Sequence, residues 1–228
     1  MPRKSLLTTA ILTAAALPSV SSAELTANAG WVSDYIFRGI FQEDSSAYGG
    51  VDYAADNGIY AGIWGADVAS GLEYDIYFGY GGSFGESGGF TIGYTGYFYT
   101  EDDPTEPTVF DDTYTEINLG ISFGIFAIDH AIGEWDGFGS PVDYTFSTLT
   151  VAPEVGPYYS YNSFGDQASG DYIEIGYGWS AMDLDLSIAF MYDLNAGDPD
   201  ALALDEALSG FEDTALTFGI SKTFALSD

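Results

Sequence analysis

The chain has 228 residues, 35 acids against four Lys and Arg, a formal charge of −31 and no cysteine. That balance offers no basic face to nucleic acid, and without cysteine there is neither a disulfide scaffold nor an attachment point for lipid. Hydrophobic residues at 46% and aromatics at 17% exceed what a disordered acidic chain carries, and 18 Tyr, 16 Phe and 29 Gly point to a β protein with aromatic surfaces.

From the N-terminus, Arg3 and Lys4 precede an apolar run from Leu6 to Leu17. Pro18 ends the run, and Ser21-Ser22-Ala23 is a small-x-small cleavage site. This predicts a signal peptide over 1–23, export through the Sec pathway, and a mature chain from Glu24. The run is short of the ~20 residues a spanning helix needs, and no later stretch is apolar enough to be one. Two basic residues and no acid leave with the signal, so Arg38 and Lys222 face 35 acids, a charge of 2 − 35 = −33.

The mature chain alternates with a period of two, the mark of strands. Leu72, Tyr74, Ile76, Phe78 and Tyr80 share one face against Glu73, Asp75, Tyr77 and Gly79. Ile117, Leu119, Ile121 and Phe123 oppose Glu116, Asn118, Gly120 and Ser122, and Leu184, Leu186, Ile188, Phe190 and Tyr192 oppose Asp183, Asp185, Ser187 and Ala189. Segments of about ten residues with aromatics near their ends and almost no lysine opposite suit a tilted membrane strand better than a soluble sandwich.

Predicted strands cover 25–40, 48–56, 59–68, 72–82, 89–100, 113–123, 125–135, 143–152, 157–163, 171–180, 182–193 and 213–224. Residues 24–228 are thus expected to form an all-β, antiparallel, transmembrane up-and-down β-barrel of about 12 strands. At Asp56-Asn57-Gly58-Ile59, a two-residue Asn-Gly turn would set Tyr53 opposite Gly62, Val51 opposite Trp64 and Asp52 opposite Ile63. Connections near 57–58, 124 and 181 are tight, whereas 101–112, 136–142, 164–170 and 194–212 are long and acidic, the pattern of periplasmic turns and outer loops. Ala201 to Leu208 is expected to form a small helix. The acids Glu101, Asp102, Asp103, Glu106, Asp111 and Asp112 lack the spacing of a calcium loop and are read as a solvated loop, with no metal.

The segment VSDYIFRGIFQ, Val32 to Gln42, resembles the opening strand of the TorF-type porin family of bacterial outer-membrane proteins. Gly49 to Val68, Glu73 to Tyr80 and Ile220 to Phe224 are similar to its further strands, with Phe41-Gln42 where Ser-Gln is usual. The resemblance implies an outer-membrane barrel of poorly defined function. The C-terminus also resembles the signal read by the barrel-assembly machinery, carried here by Thr217, Gly219 and Phe224, with Lys222 departing from it.

On these faces Asp34, Arg38, Asp52, Glu73, Asp75, Glu116, Glu174, Asp183 and Asp185 are expected to line a pore. Arg38 is placed on the first strand, diagonal to Asp52, as a wall salt bridge or a constriction. Inward Tyr77, Tyr97, Tyr99 and Tyr114 would narrow the lumen. The lone histidine, His130, has Ser122 and Ser140 near it in sequence but no nucleophile motif, so no catalytic residue, enzyme activity or cofactor is assigned. The expected function is a narrow, cation-selective porin-like channel for small solutes or ions. The alternative is a plugged structural or surface-interaction barrel acting through its acidic outer loops. Partners would be membrane lipid and lipopolysaccharide, the assembly machinery with periplasmic chaperones, and small cations or solutes.

Overall fold

Alternation of this kind leaves each strand with an apolar and a polar face, and the apolar face cannot stay exposed to water on an open sheet. The computed structural model, which describes residues 23–100, 113–137, 140–195 and 213–226, closes the sheet on itself. Its strands are β1 (Glu24–Val32), β2 (Asp34–Phe37), β3 (Ile40–Asp44), β4 (Ala47–Ala54), β5 (Ile59–Asp67), β6 (Leu72–Phe84) and β7 (Gly88–Tyr99). They continue with β8 (Tyr114–Phe123), β9 (Phe126–Trp135), β10 (Val142–Val151), β11 (Tyr158–Asp166), β12 (Asp171–Ala181), β13 (Leu184–Asp193) and β14 (Thr214–Ala225).

Twelve of them form a closed antiparallel barrel, in which each strand pairs with its neighbours in sequence and β2 and β3 stand outside the ring. β1 closes it by bonding both β14, with Ala27 opposite Phe224 and Trp31 opposite Ile220, and β4, with Ala27 opposite Val51. Closure removes the unpaired sheet edges that a bilayer would not tolerate. The outer surface is a belt of exposed apolar side chains, among them Ile63, Ile76, Phe78, Ile92, Ile121 and Phe218. Such a belt is satisfied by lipid, and the chain spans the membrane on these strands. The start of β1, the end of β14 and the β4–β5, β6–β7, β8–β9, β10–β11 and β12–β13 turns share one rim, called the inner rim below, and the remaining connections share the other.

Two expectations need correction. The first strand does not run to residue 40. The chain leaves the wall at Ser33, whose amide donates to the carbonyl of Phe218 at 2.8 Å, and folds into a separate hairpin of β2 and β3. Arg38 and Gly39, at φ 54° and 82°, supply the two consecutive left-handed residues of a tight hairpin loop between Phe37 and Ile40. Tyr35 and Ile36 are adjacent and both buried, which a wall strand with one lipid face cannot offer.

The turn after β4 is also longer by one residue than expected. Ala55 and Ile59 flank Asp56-Asn57-Gly58, with Gly58 at φ 92°. A type I turn followed by a left-handed glycine does this, and it shifts the register by one. Val51 therefore faces Ile63, Tyr53 faces Ala61 and Asp52 faces Gly62, and Trp64 turns inward. The signal segment 1–22, the acidic run 101–112 and the expected helix at 201–208 lie outside the described residues.

Candidate pore and its plug

The inward faces divide the lumen into two halves. Near the inner rim many of their residues are small, including Gly79, Gly81, Gly93, Gly120, Gly178 and Ser187, with the Tyr60 ring lying over Gly79 and Gly93 and Asp129 facing in beside Gly120. Near the outer rim they carry Trp64, Tyr97, Tyr144, Phe146, Tyr172 and Met191, all buried. The β2–β3 hairpin accounts for that burial, because it folds into the outer half and crosses it.

One side of the hairpin meets the β5–β6 wall. The Tyr35 ring stands edge-on to Trp64 with centroids 5.9 Å apart, and its hydroxyl donates to Glu73 Oε1 at 2.7 Å. The other side meets the opposite wall, where Ile36 packs in one cluster with Ala131, Phe146, Tyr172 and Met191. At the tip, the Arg38 guanidinium lies 4.8 Å from the Phe37 ring centroid and 4.7 Å from that of Phe146. Its two terminal nitrogens donate to the two oxygens of Glu116, the second contact at 2.8 Å. Tyr144 at 2.7 Å and Tyr97 at 3.0 Å also donate to this carboxylate. A bidentate pair with extra donors is the geometry in which a buried ion pair offsets its desolvation.

The expected partner of Arg38 was Asp52, and this is corrected. Asp52 stays on the wall in β4, opposite Thr26 and Gly62, and accepts bonds from Asn28, at 3.1 Å, and from Tyr77. Asp34 is at the hairpin base, bonded by the Ser33 hydroxyl at 2.7 Å, and not on the wall. Asp183 is exposed in the β12–β13 turn, where Met182 and Asp183 have φ of 56° and 60°, so it is not in the lumen. The structure places Glu73, Asp75, Glu116, Glu174 and Asp185 on inward positions of the wall.

A repeated arrangement was not visible as a sequence pattern. Asp52, Gly62 and Tyr77 form one row across β4, β5 and β6, and Glu116, Gly133 and Tyr144 form another across β8, β9 and β10. In each row the tyrosine ring lies over the glycine, where a Cβ would collide with it, and its hydroxyl reaches the acid. Tyr158 does the same over Gly176 and bonds Glu174. The glycine removes the side chain that would push the ring into the lumen. Sequence spacing cannot reveal rows that exist only once the strand registers are set.

His130 points outward, toward lipid. Its Nδ1 lies 2.9 Å from the hydroxyl of Ser147, not from Ser122 or Ser140. Its same-face neighbours on β8 and β9 are Leu119, Ile128 and Ile132. At the closing strand Thr217 and Gly219 face inward, while Phe224 faces outward with the Lys222 ammonium 5.7 Å from its ring centroid.

The profile of a family described as "Bacterial protein of unknown function (Gcw_chp)" matches residues 16–224. The chain belongs to this family. The family's description carries no TorF name and no activity. No curated protein matches the chain. Among solved structures it is similar to the outer membrane protein OprD from Pseudomonas aeruginosa, at 12% identity and a TM-score of 0.42, over 91% of this chain and 66% of OprD. It is also similar to OmpF of Salmonella typhi in complex with daunomycin, at 10% identity and a TM-score of 0.40, over 89% of this chain and 97% of that one. The chain thus spans just under two thirds of the length of OprD, and these likenesses concern the barrel alone.

Proposed function

We propose that this family member is a porin-like channel of the bacterial outer membrane, narrow, cation-selective, and restricted in its outer half by its own hairpin. The observation that carries this reading is the seating of the Arg38 tip on Glu116, above an inner half whose wall is rich in glycine and serine beside Tyr60 and Asp129. A purely structural barrel has no need of so many small inward residues, and small barrels usually fill their interior with side chains. A hairpin joined covalently to the wall at its base alone, with its tip held by side chains, is a constriction that can move, like other loops that fold into larger barrels.

Export by the N-terminal signal and insertion through the closing strand are part of the same proposal. The His130–Ser147 pair does not make the protein a hydrolase in this reading, because its neighbours on the lipid face are aliphatic and no acid among the described residues bonds the ring. Planar-bilayer recording of the refolded, purified barrel tests the function. Discrete conductance steps are expected. Their absence in the wild type and in a variant lacking the hairpin would assign the protein to the alternative, a plugged barrel acting through its acidic outer loops.

A further inference from the structure

The carboxylates on the lumen wall are unequally provided for. Glu116 has Arg38 and two tyrosines, Asp52 has Asn28 and Tyr77, Glu174 has Tyr158, and Asp185 has Ser180. Asp75 is different. It exposes none of its surface, and neither of its carboxylate oxygens has a hydrogen-bond partner. Two residues along the same face of β6, Glu73 is also buried and has one oxygen, Oε2, without a partner. A buried carboxylate with no donor is among the costlier things a fold can contain.

The surroundings say what kind of group would satisfy these oxygens. In the ladder Asp75 stands between Trp64 on β5 and Tyr97 on β7, both inward and buried, and Tyr35 of the hairpin packs on Trp64. Aromatic faces beside a carboxylate attract a cation twice, through the ring quadrupole and through the charge. A divalent metal wants six or more oxygens, and the described residues hold no cluster of three or more ligating side chains suited to a metal. An ammonium group has three N–H donors and one charge, which matches three bare acceptor oxygens on one strand face.

We propose that Asp75, with Glu73 beside it and Trp64 and Tyr97 as walls, is a binding site for a small ammonium-type cation in the outer half of the lumen. The site deepens the cation-channel reading and rests on it for the route by which the cation arrives. With the hairpin seated Asp75 is covered, so a cation reaches it as the hairpin lifts and Tyr35 leaves Glu73. Cation binding and hairpin release are then linked, each favouring the other.

Isothermal titration of methylammonium chloride into the refolded full-length barrel in detergent, at constant ionic strength and neutral pH, tests the site. Saturable binding to the wild type is expected. Asp75→Asn should weaken it roughly tenfold or more, the loss expected for a charge-assisted hydrogen bond. Asp52→Asn removes the same charge elsewhere in the lumen and should leave binding within about twofold. Asp75→Ser serves if the asparagine variant lacks the heat-modifiable mobility of a folded barrel. Absence of saturable binding to folded wild type would overturn the proposal and assign a proton to Asp75. Equal weakening by both variants would overturn it in favour of diffuse lumen charge. A barrel that binds methylammonium at Asp75 but passes no current keeps the site and loses the channel, and one that conducts without binding loses the site alone.

Discussion

Arg38 and Glu116 are 78 residues apart in the chain and meet as a bidentate pair inside the barrel, one from the tip of an inserted hairpin and one from the wall. The pair is the polar anchor of an element otherwise held by Tyr35 and Ile36. Arg38→Ala strips Glu116 of its cation but leaves it two tyrosine donors. Loss of one partner from a buried pair costs about 3–5 kcal/mol, and the tyrosines place this case near the lower end. Urea unfolding in detergent micelles should show that loss, and bilayer recordings should show larger or more frequent openings. In a double-mutant cycle, Arg38→Ala with Glu116→Gln should recover part of the stability. Strict additivity would mean that the two groups do not interact.

Gly39 tests the hairpin's shape without touching its charge. It sits at φ 82°, and an added Cβ would lie 3.0 Å from ring atoms of Tyr172. Gly39→Ala therefore meets backbone strain of about 1–2 kcal/mol and a tight contact together. The tip should sit less firmly, so openings should become more frequent with Arg38 intact. Unaltered gating together with unaltered stability would show that the loop does not need its left-handed turn.

Much of the barrel was legible in the sequence because period-two alternation survives wherever one face meets lipid. The faces assigned to Ile76 and Glu73, or to Ile117 and Glu116, are those of the structure. The hairpin was not legible because Asp34 to Ile40 also alternates loosely, and only the adjacent burial of Tyr35 and Ile36 separates an inserted element from a wall strand. Arg38-Gly39 was the available signal, since a residue pair ending in glycine suits a turn with two left-handed positions. Asp183 was misplaced for a similar reason. It continues the alternation of β13 on paper but belongs to a two-residue turn. The inward acids were legible one by one, whereas their tyrosine partners depend on registers that a one-residue change in the first turn would scramble.

Those tyrosine partners make a separate prediction. In the row Glu116, Gly133 and Tyr144, a Cβ on Gly133 collides with the far end of the Tyr144 ring, a part that can swing away. Gly133→Ala should therefore fold, but with the Tyr144 hydroxyl drawn off Glu116. The expected loss is about 1–3 kcal/mol, the cost of removing a donor from a buried charged acceptor. Gly133→Ala combined with Tyr144→Phe should be no worse than Tyr144→Phe alone, as read from unfolding midpoints. A larger loss in the combination would place the glycine's role in the backbone.

Phe224 lies on the outer face of the closing strand, opposite Ala27 of β1. Truncation before Phe224 should lower the amount of folded, heat-modifiable barrel in outer-membrane fractions more than it lowers the stability of refolded protein. Equal effects in cells and in vitro would make Phe224 a packing residue and not part of an assembly signal.

The last expectation concerns the sign of the current. At least seven carboxylates of the described wall face inward, Asp52, Glu73, Asp75, Glu116, Asp129, Glu174 and Asp185, and Arg38 of the hairpin is the basic residue that reaches Glu116 among them. Lys222 is on the lipid face, beside Phe224, where its stem lies along apolar surface and its amine reaches toward the inner headgroups. The Arg38–Glu116 pair is neutral as a unit, so the field inside comes from the other acids. Charged groups within low-dielectric walls repel anions even when few in number. The reversal potential under a KCl gradient should therefore have the cation-selective sign. Selectivity should fall at ~1 M salt, where the Debye length is ~3 Å, and should fall at low pH as the carboxylates take up protons. Glu174→Gln, chosen because it touches neither the hairpin nor Asp75, should reduce the potential without closing the channel. An anion-selective potential in the wild type would refute the charge assignment even if the channel itself is real.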